Sequence, residues 1–165
     1  MNNNFKKATI DNIEDIKYII DKCGIDMYER FGLEHWRNGI SIEYIKNSIV
    51  KNNVYIVING EDIIATFTIN NNVNKFFSDI DNNRYLYISK VAVNPKYSGK
   101  GIGRDIIKFC ETEAINRHLK GIRLDVYDKS NNAIRFYENC GFKIKFTEKT
   151  NHFKVLCMEK KFLLR

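Results

Sequence analysis

The sequence predicts an α/β fold in which a mixed central sheet is flanked by helices. Three observations carry this expectation. Two runs rich in β-branched and aromatic residues, Val54–Ile58 and Ile63–Ile69, flank Asn59-Gly60, a favoured hairpin dipeptide, so part of the sheet is antiparallel. A strand-like run ending at Val93 passes through a glycine-rich loop into a segment of helical period, which is a crossover rather than a hairpin. Helical period also appears ahead of the first strand, at Ile10, Ile13, Ile16, Ile19 and Ile20.

Taken in order, the first helix is expected to be capped by Asp11 and to end near Cys23-Gly24. A second begins at Ser41, a favoured cap, with Ile42, Tyr44, Ile45, Ile49 and Val50 as its apolar side. The hairpin follows. The segment from Asn70 to Asn83 is polar at both ends around Phe76-Phe77 and reads as a loop or short insertion bordering the functional site. Then come a strand from Tyr85 to Val93, a helix from Gly103 to about His118, a strand from Ile122 to Tyr127 and a helix from Ser130 to Asn139. Two final strands are expected around Phe142–Phe146 and Phe153–Met158. Pro95 falls just beyond a strand, where its missing N–H is tolerated.

Composition narrows the function classes. The chain has 165 residues, 44% of them hydrophobic and 13% aromatic, enough for one domain spanning 1–165 with a sizeable core. The amino-terminal residues contain no apolar leader-like run, and no stretch approaches the roughly 18 apolar residues of a membrane span, so a cytoplasmic protein without membrane contact is expected. Cys23, Cys110, Cys140 and Cys157 lack CxxC spacing or a matching histidine cluster, which argues for free thiols and for no metal. The net charge of +7 invites a nucleic-acid reading, but the lysines are dispersed rather than massed, and no nucleic-acid partner is expected.

The most informative stretch is Val91-Ala92-Val93-Asn94-Pro95-Lys96-Tyr97-Ser98-Gly99-Lys100-Gly101-Ile102-Gly103-Arg104. The first N–H groups of a helix have no intrahelical partner, and with the positive end of the helix dipole they form an anion site that glycine lets a pyrophosphate approach closely. Beyond the loop, Ile102, Ile106, Cys110 and Ala114 recur at helical spacing, opposite Arg104, Asp105, Lys108 and Glu111. A Walker loop is excluded, because Gly99 to Arg104 supplies neither its spacing nor Lys followed by Ser or Thr. A dinucleotide fingerprint is excluded by the strict alternation of Gly99, Gly101 and Gly103 in the middle of the chain.

These residues resemble the acyl-CoA loop of the GNAT family of N-acetyltransferases. A second block, Leu124-Asp125-Val126-Tyr127 followed by Ser130-Asn131-Asn132-Ala133-Ile134-Arg135-Phe136-Tyr137-Glu138-Asn139-Cys140-Gly141-Phe142, is similar to the family's late strand, helix and FYExxGF signature. The resemblance is sharpest from Tyr85 to Phe142 and implies a single-domain GNAT fold that binds acetyl-CoA as co-substrate. It implies acetyl transfer to a primary amine, on a small molecule or a peptide or protein N-terminus, by direct attack through a tetrahedral intermediate. A non-catalytic acyl-CoA-binding regulator is the alternative, because the strand from Tyr85 to Val93 lacks the carboxylate many relatives carry there. Whether the chain forms a homodimer stays open.

By this resemblance, backbone groups of Val91, Ala92 and Val93 hold the pantetheine arm, and N–H groups of Gly99, Lys100, Gly101, Ile102, Gly103 and Arg104 hold the pyrophosphate. The oxyanion is most economically met by a backbone N–H near Val91 to Val93, beside a local irregularity in that strand. Ser98 departs from the Arg or Gln usual at or beside that position. Arg104 either adds a phosphate contact or is a solvated arginine, and Ser130 or Asn131 either contacts the arm or only caps its helix. Tyr137 matches the family's proton donor to the departing thiolate, and a phenol with an ordinary pKa of about 10 is protonated as an acid must be. Asp125 is the first candidate for the base, with Glu29, Glu34 and ordered water behind it. The resemblance gives substrate selection to a groove formed by the segment between the first two helices and by the late hairpin, here through Tyr28, Glu29, Phe31 and Trp36, with Asp26, Glu34 and His35 interleaved. Packing of Phe31 and Trp36 against the sheet edge is the competing reading.

Overall fold

The computed structural model describes residues 3–163. They form strands β1 (Asn4–Lys7), β2 (Asn53–Asn59), β3 (Asp62–Asn70), β4 (Tyr85–Val93), β5 (Gly121–Tyr127), β6 (Lys143–Lys149) and β7 (Lys154–Lys161). The helices are α1 (Ile13–Phe31), α2 (Ile42–Lys51), α3 (Ile102–Asn116) and α4 (Asn131–Asn139). This is the mixed seven-stranded sheet with four helices of an α/β fold. The chain divides into two compact units, and β4 and α3 each contribute residues to both.

The first unit holds the residues up to Asn71 together with Lys90–Asp105. Here β1 pairs antiparallel with β2, and β2 with β3. The hairpin forms as the dipeptide signal predicts, shifted by one residue: Asn59 still pairs with Asp62, so the turn itself is Gly60-Glu61, with Gly60 at φ 64°. The core gathers Ile13, Ile16, Ile19, Ile20 and Cys23 of α1 with Ile45 of α2, Val54 and Ile56 of β2 and Ala92 of β4. Burying an aliphatic side chain of this size is worth about 1.5–3 kcal/mol, so α1 is held by its isoleucine stripe.

Several expectations need correction in this unit. Helix α1 continues through Gly24 to Phe31 and stops at Gly32, whose left-handed φ of 67° lets its N–H close the last turn onto Tyr28. Gly24 interrupts nothing, because tertiary contact selects it: a Cβ there would strike the backbone of Trp36. Asp11 is not the cap. The chain enters α1 through a short 3-10 turn in which Asn12 Oδ1 accepts from Thr9 N–H at 3.0 Å. Ser41 does cap α2, accepting from Tyr44 N–H at 3.1 Å, but of the anticipated apolar side only Ile45 is buried, while Ile42, Tyr44 and Val50 are exposed. Strand β1 was not anticipated, since four residues with two lysines carry almost no periodic signal.

The second unit comprises Asn72–Ser89 and the chain from Ile106 onward. β4 pairs parallel with β5 through Tyr85, Leu86 and Tyr87, β5 pairs antiparallel with β7, and β7 with β6. Ile106, Ile107, Cys110 and Ala114 of α3 are buried, as their spacing predicts. Both final strands are longer than anticipated, because pairing carries their exposed polar ends. The described cysteines are free. Among the described residues no helix is long and apolar enough to cross a membrane.

Candidate functional site

The first unit contains a strand-to-helix passage with unusual backbone. Within β4, Lys90 sits at φ 52°, a left-handed conformation that a non-glycine residue in a strand adopts only when its surroundings impose it. It kinks the strand just ahead of Val91-Ala92-Val93, so this strand carries the irregularity that a sequence cannot display. Val93 ends the strand with its carbonyl accepting from the Cys23 thiol at 3.0 Å. That thiol's pKa is raised to about 12, chiefly by burial and then by the charge of Asp26, with the Val93 hydrogen bond acting in the other direction.

After β4, Asn94 anchors the loop: its side chain accepts from Lys96 N–H at 3.1 Å and its own N–H donates to Ile64 O at 2.9 Å. Pro95 opens a single 3-10 turn there. Tyr97 donates its hydroxyl to Asp62 at 2.6 Å, and the ammoniums of Lys96 and Lys100 lie 5.3 and 5.1 Å from its ring centre. Gly99 and Gly101 both take left-handed φ, 75° and 82°, and nothing lies within 4 Å of where a Cβ would stand. The first bond of α3 runs from Asp105 N–H to Gly101 O at 3.1 Å, so the N–H groups of Ile102, Gly103 and Arg104 precede the helical ladder. An open, uncovered cradle of N–H groups with an exposed arginine beside it fits a pyrophosphate.

The other anticipated residues of this unit sit on α1 and the turn after it. Tyr28 lies under the Arg37 guanidinium at 3.9 Å, Glu29 is exposed, and Phe31 is largely exposed with Arg30 over its ring. Trp36 is half-buried against the cluster that includes the α1 isoleucines, and Lys90 Nζ stands 5.9 Å from its ring. The His35 pKa is lowered by burial and then by the Lys90 charge.

In the second unit, Asp125 and Tyr137 belong to one electrostatic neighbourhood. Burial pushes the Tyr137 hydroxyl pKa well above its ordinary value, and Cys110, Cys140 and Asp125 add to that. The Tyr137 ring packs edge-on against Phe136 and Phe142. Ser130 stands at the cap position just before α4, but its side chain does not cap the helix: its Oγ is buried without a hydrogen-bond partner, while Asn131 is exposed. A buried hydroxyl without a partner is costly.

The sequence reading missed Asn74, Tyr87 and Arg123. Arg123, 3% exposed, spends its donors on Asp79, Asn82 and Glu159, and its guanidinium lies between the rings of Phe77 and Tyr85 at 4.1 and 3.8 Å. An arginine among the buried residues of a strand-like run was the available signal, because a charge is buried only where partners are built for it. Arg123, Asp79 and Glu159 line a cavity of about 360 Å³ with Lys145, Phe146 and Lys161. Among the described residues no group of three or more His, Cys, Asp or Glu could hold a metal ion.

Comparison with known proteins agrees with this backbone. The model of the Acetyltransferase (GNAT) family matches residues 24–142. Streptothricin acetyltransferase of Escherichia coli is 34% identical over 67 residues, 38% of each chain. Thialysine N-epsilon-acetyltransferase of Mus musculus is 36% identical over 58 residues, 35% of this chain and 34% of that one. The alignments therefore span little more than a third of these curated relatives. PaiA N-acetyltransferase from Thermoplasma acidophilum, solved with coenzyme A, shares the fold with a TM-score of 0.76 and 20% identity, over 98% of this chain and 100% of that one. With its kinked β4, its glycine cradle and a family match spanning most of its length, the chain belongs to the GNAT acetyltransferase family.

Proposed function

We propose that this protein transfers an acetyl group from acetyl-CoA to a primary amine, with residues 1–165 acting as one domain. The observation that carries the reading is the backbone from Lys90 to Arg104, a kinked strand end followed by left-handed glycines and uncovered helix N–H groups. The names of the relatives, which concern streptothricin and the Nε of thialysine, favour a small amine as acceptor.

Acetyl-CoA supplies an activated acyl thioester, and the chain's own groups supply the rest. N–H groups from Gly99 through Arg104 hold the pyrophosphate, and the Arg104 guanidinium adds charge. Backbone at Val91, Ala92 and Val93 receives the pantetheine arm and offers an N–H to the developing oxyanion. Ser130 Oγ, with Asn131 beside it, completes the grip. Tyr137 holds a proton for the departing thiolate, and its raised pKa keeps that proton in place at neutral pH. Asp125 takes the proton of the amine. Tyr28, Glu29, Phe31 and Trp36 select the acceptor's body.

Titration of acetyl-CoA into the protein by calorimetry, beside a Gly101→Glu, Gly103→Glu variant, tests the grip. Micromolar binding abolished in the variant is expected, and no binding by the intact protein overturns the reading. Tyr137→Phe should keep that affinity and lose roughly 10²–10⁴-fold in turnover, the usual worth of a positioned acid. A protein that binds acetyl-CoA yet acetylates no amine is the non-catalytic regulator.

A further inference from the structure

Successive side chains of a strand point to opposite faces, so Tyr85 and Tyr87 of β4 share one face, as do Arg123 and Asp125 of β5. The parallel register places Tyr87 beside Arg123. This face is polar, and the loop from Asn72 to Asn83 supplies it with side chains. Asp125 receives two hydrogen bonds on one oxygen: Tyr87 Oη donates to Oδ1 at 2.7 Å and Asn74 Nδ2 donates to Oδ1 at 3.3 Å. Its second oxygen, Oδ2, accepts no hydrogen bond among the described residues, and it is not among the buried polar atoms left without partners, so it reaches solvent.

The arrangement is held from behind. Asn74 is 1% exposed, with its Oδ1 accepting from Phe76 N–H at 2.8 Å and its carbonyl accepting from Asn82 Nδ2 at 2.7 Å. Asn82 Oδ1 accepts from Arg123 Nη1 at 2.9 Å, and Arg123 in turn is clamped by Asp79 and Glu159. An unbroken chain of hydrogen bonds thus runs from a buried arginine to one oxygen of a half-buried carboxylate. The negative charge of Asp125 is felt by Tyr137 and by Cys157, whose pKa is raised to about 12 by burial first and by Asp125 next.

We infer that Tyr87 and Asn74 are positioning residues for the acceptor: they fix Oδ1 of Asp125 so that Oδ2 receives an alkylammonium group. This rests on the acetyl-transfer reading above. The carboxylate binds the acceptor as its cation and then takes one proton from it. The N–H bond breaks with its electron pair left on nitrogen, an O–H bond forms at Oδ2, and the proton later passes to solvent. The amine so freed is the nucleophile that acetyl-CoA requires.

The test uses intact protein labelled with ¹³C at aspartate carboxyls and n-butylammonium chloride as probe, with tetramethylammonium chloride, which has no N–H to donate, as control. The Asp125 resonance is identified by its disappearance in Asp125→Asn. A saturable shift of that resonance with butylammonium and none with tetramethylammonium is expected. In Tyr87→Phe, an isosteric change, the affinity should fall about fivefold, the worth of one net hydrogen bond of roughly 1 kcal/mol. Asn74→Ala should weaken it as well, and unaltered acetyl-CoA affinity in both variants marks an intact fold. An Asp125 resonance that butylammonium does not move, that both salts move alike, or that responds equally in Tyr87→Phe overturns the inference. Loss of acetyl-CoA binding by the unaltered protein would instead overturn the transferase reading, whatever butylammonium does.

Discussion

The loop from Asn94 to Gly101 and the loop from Asn71 to Asn83 are both polar connections flanking the same strand in sequence, and they are built on opposite principles. The first leaves its backbone bare: Gly99 and Gly101 hold left-handed turns with open space around them, and its one long side-chain tether, Tyr97 to Asp62, is exposed. The second covers itself. Asn74, Phe77 and Asn82 are buried, and Arg123 binds Asp79 through two 2.6 Å hydrogen bonds. A loop that must receive a ligand keeps its donors free, whereas a loop that must hold a side chain in place uses its donors up.

The contrast is broken most severely at Arg123. Arg123→Met takes from Glu159, itself 9% exposed, its partner at 2.8 Å and leaves it the more distant Lys145 at 3.9 Å, and removing one member of a buried pair costs about 3–5 kcal/mol, so denaturant unfolding should shift toward that amount. A double Arg123→Met, Glu159→Met variant should recover most of the loss, and no recovery would mean that the arginine acts through its aromatic neighbours instead.

Gly101→Val attacks the other principle. At φ 82° a β-branched residue costs about 1–3 kcal/mol, so the loop should relax and acetyl-CoA affinity should fall roughly tenfold or more while the second loop is untouched. Equal affinity in the calorimeter would show that the left-handed turn is not needed for binding.

Acid sharpens the comparison further. The hydrogen bond from Arg123, ahead of every other influence, holds the Asp79 carboxyl below its ordinary value. A lowered folded-state pKa stabilises the protein above the unfolded value, about 3.9, and that contribution disappears as pH falls through the lowered one. The stability difference between the unaltered protein and Asp79→Asn should therefore be constant above about pH 4 and shrink in stronger acid. It should be small, because the Asp79 side chain is half exposed. Least of all, Tyr97→Phe should change stability by no more than about 0.5 kcal/mol, as exposed polar contacts do. A larger loss in urea unfolding would mean that the first loop also depends on side chains.

Legibility followed the same division. The run from Val91 to Arg104 could be read because what distinguishes it is backbone geometry, and glycines at alternate positions before a helical stripe advertise that geometry directly. The Tyr85–Val93 strand and the Ser130–Asn139 helix were legible within a residue, since periods of 2 and 3.6 are local properties. The run from Asn71 to Asn83 shows only polar residues and two phenylalanines, and nothing local says which asparagine is buried. The end of α1 misled for the same reason: Gly24 resembles a stop until the Trp36 backbone is seen to need its space.

The sequence by itself determined the α/β alternation, the isoleucine stripes that bury α1 and α3, the glycine cradle and the family. Each depends on residues close together in the chain, where spacing translates directly into facing. Only the tertiary structure decided that Lys90 would kink its strand, that Ser130 would hide its hydroxyl rather than cap α4, and that Asn74, Tyr87 and Asp125 would meet. Those three residues span 51 positions from first to last, and a hydrogen bond across such a separation leaves no periodic trace, because it is set by sheet register and by a buried arginine that holds the loop.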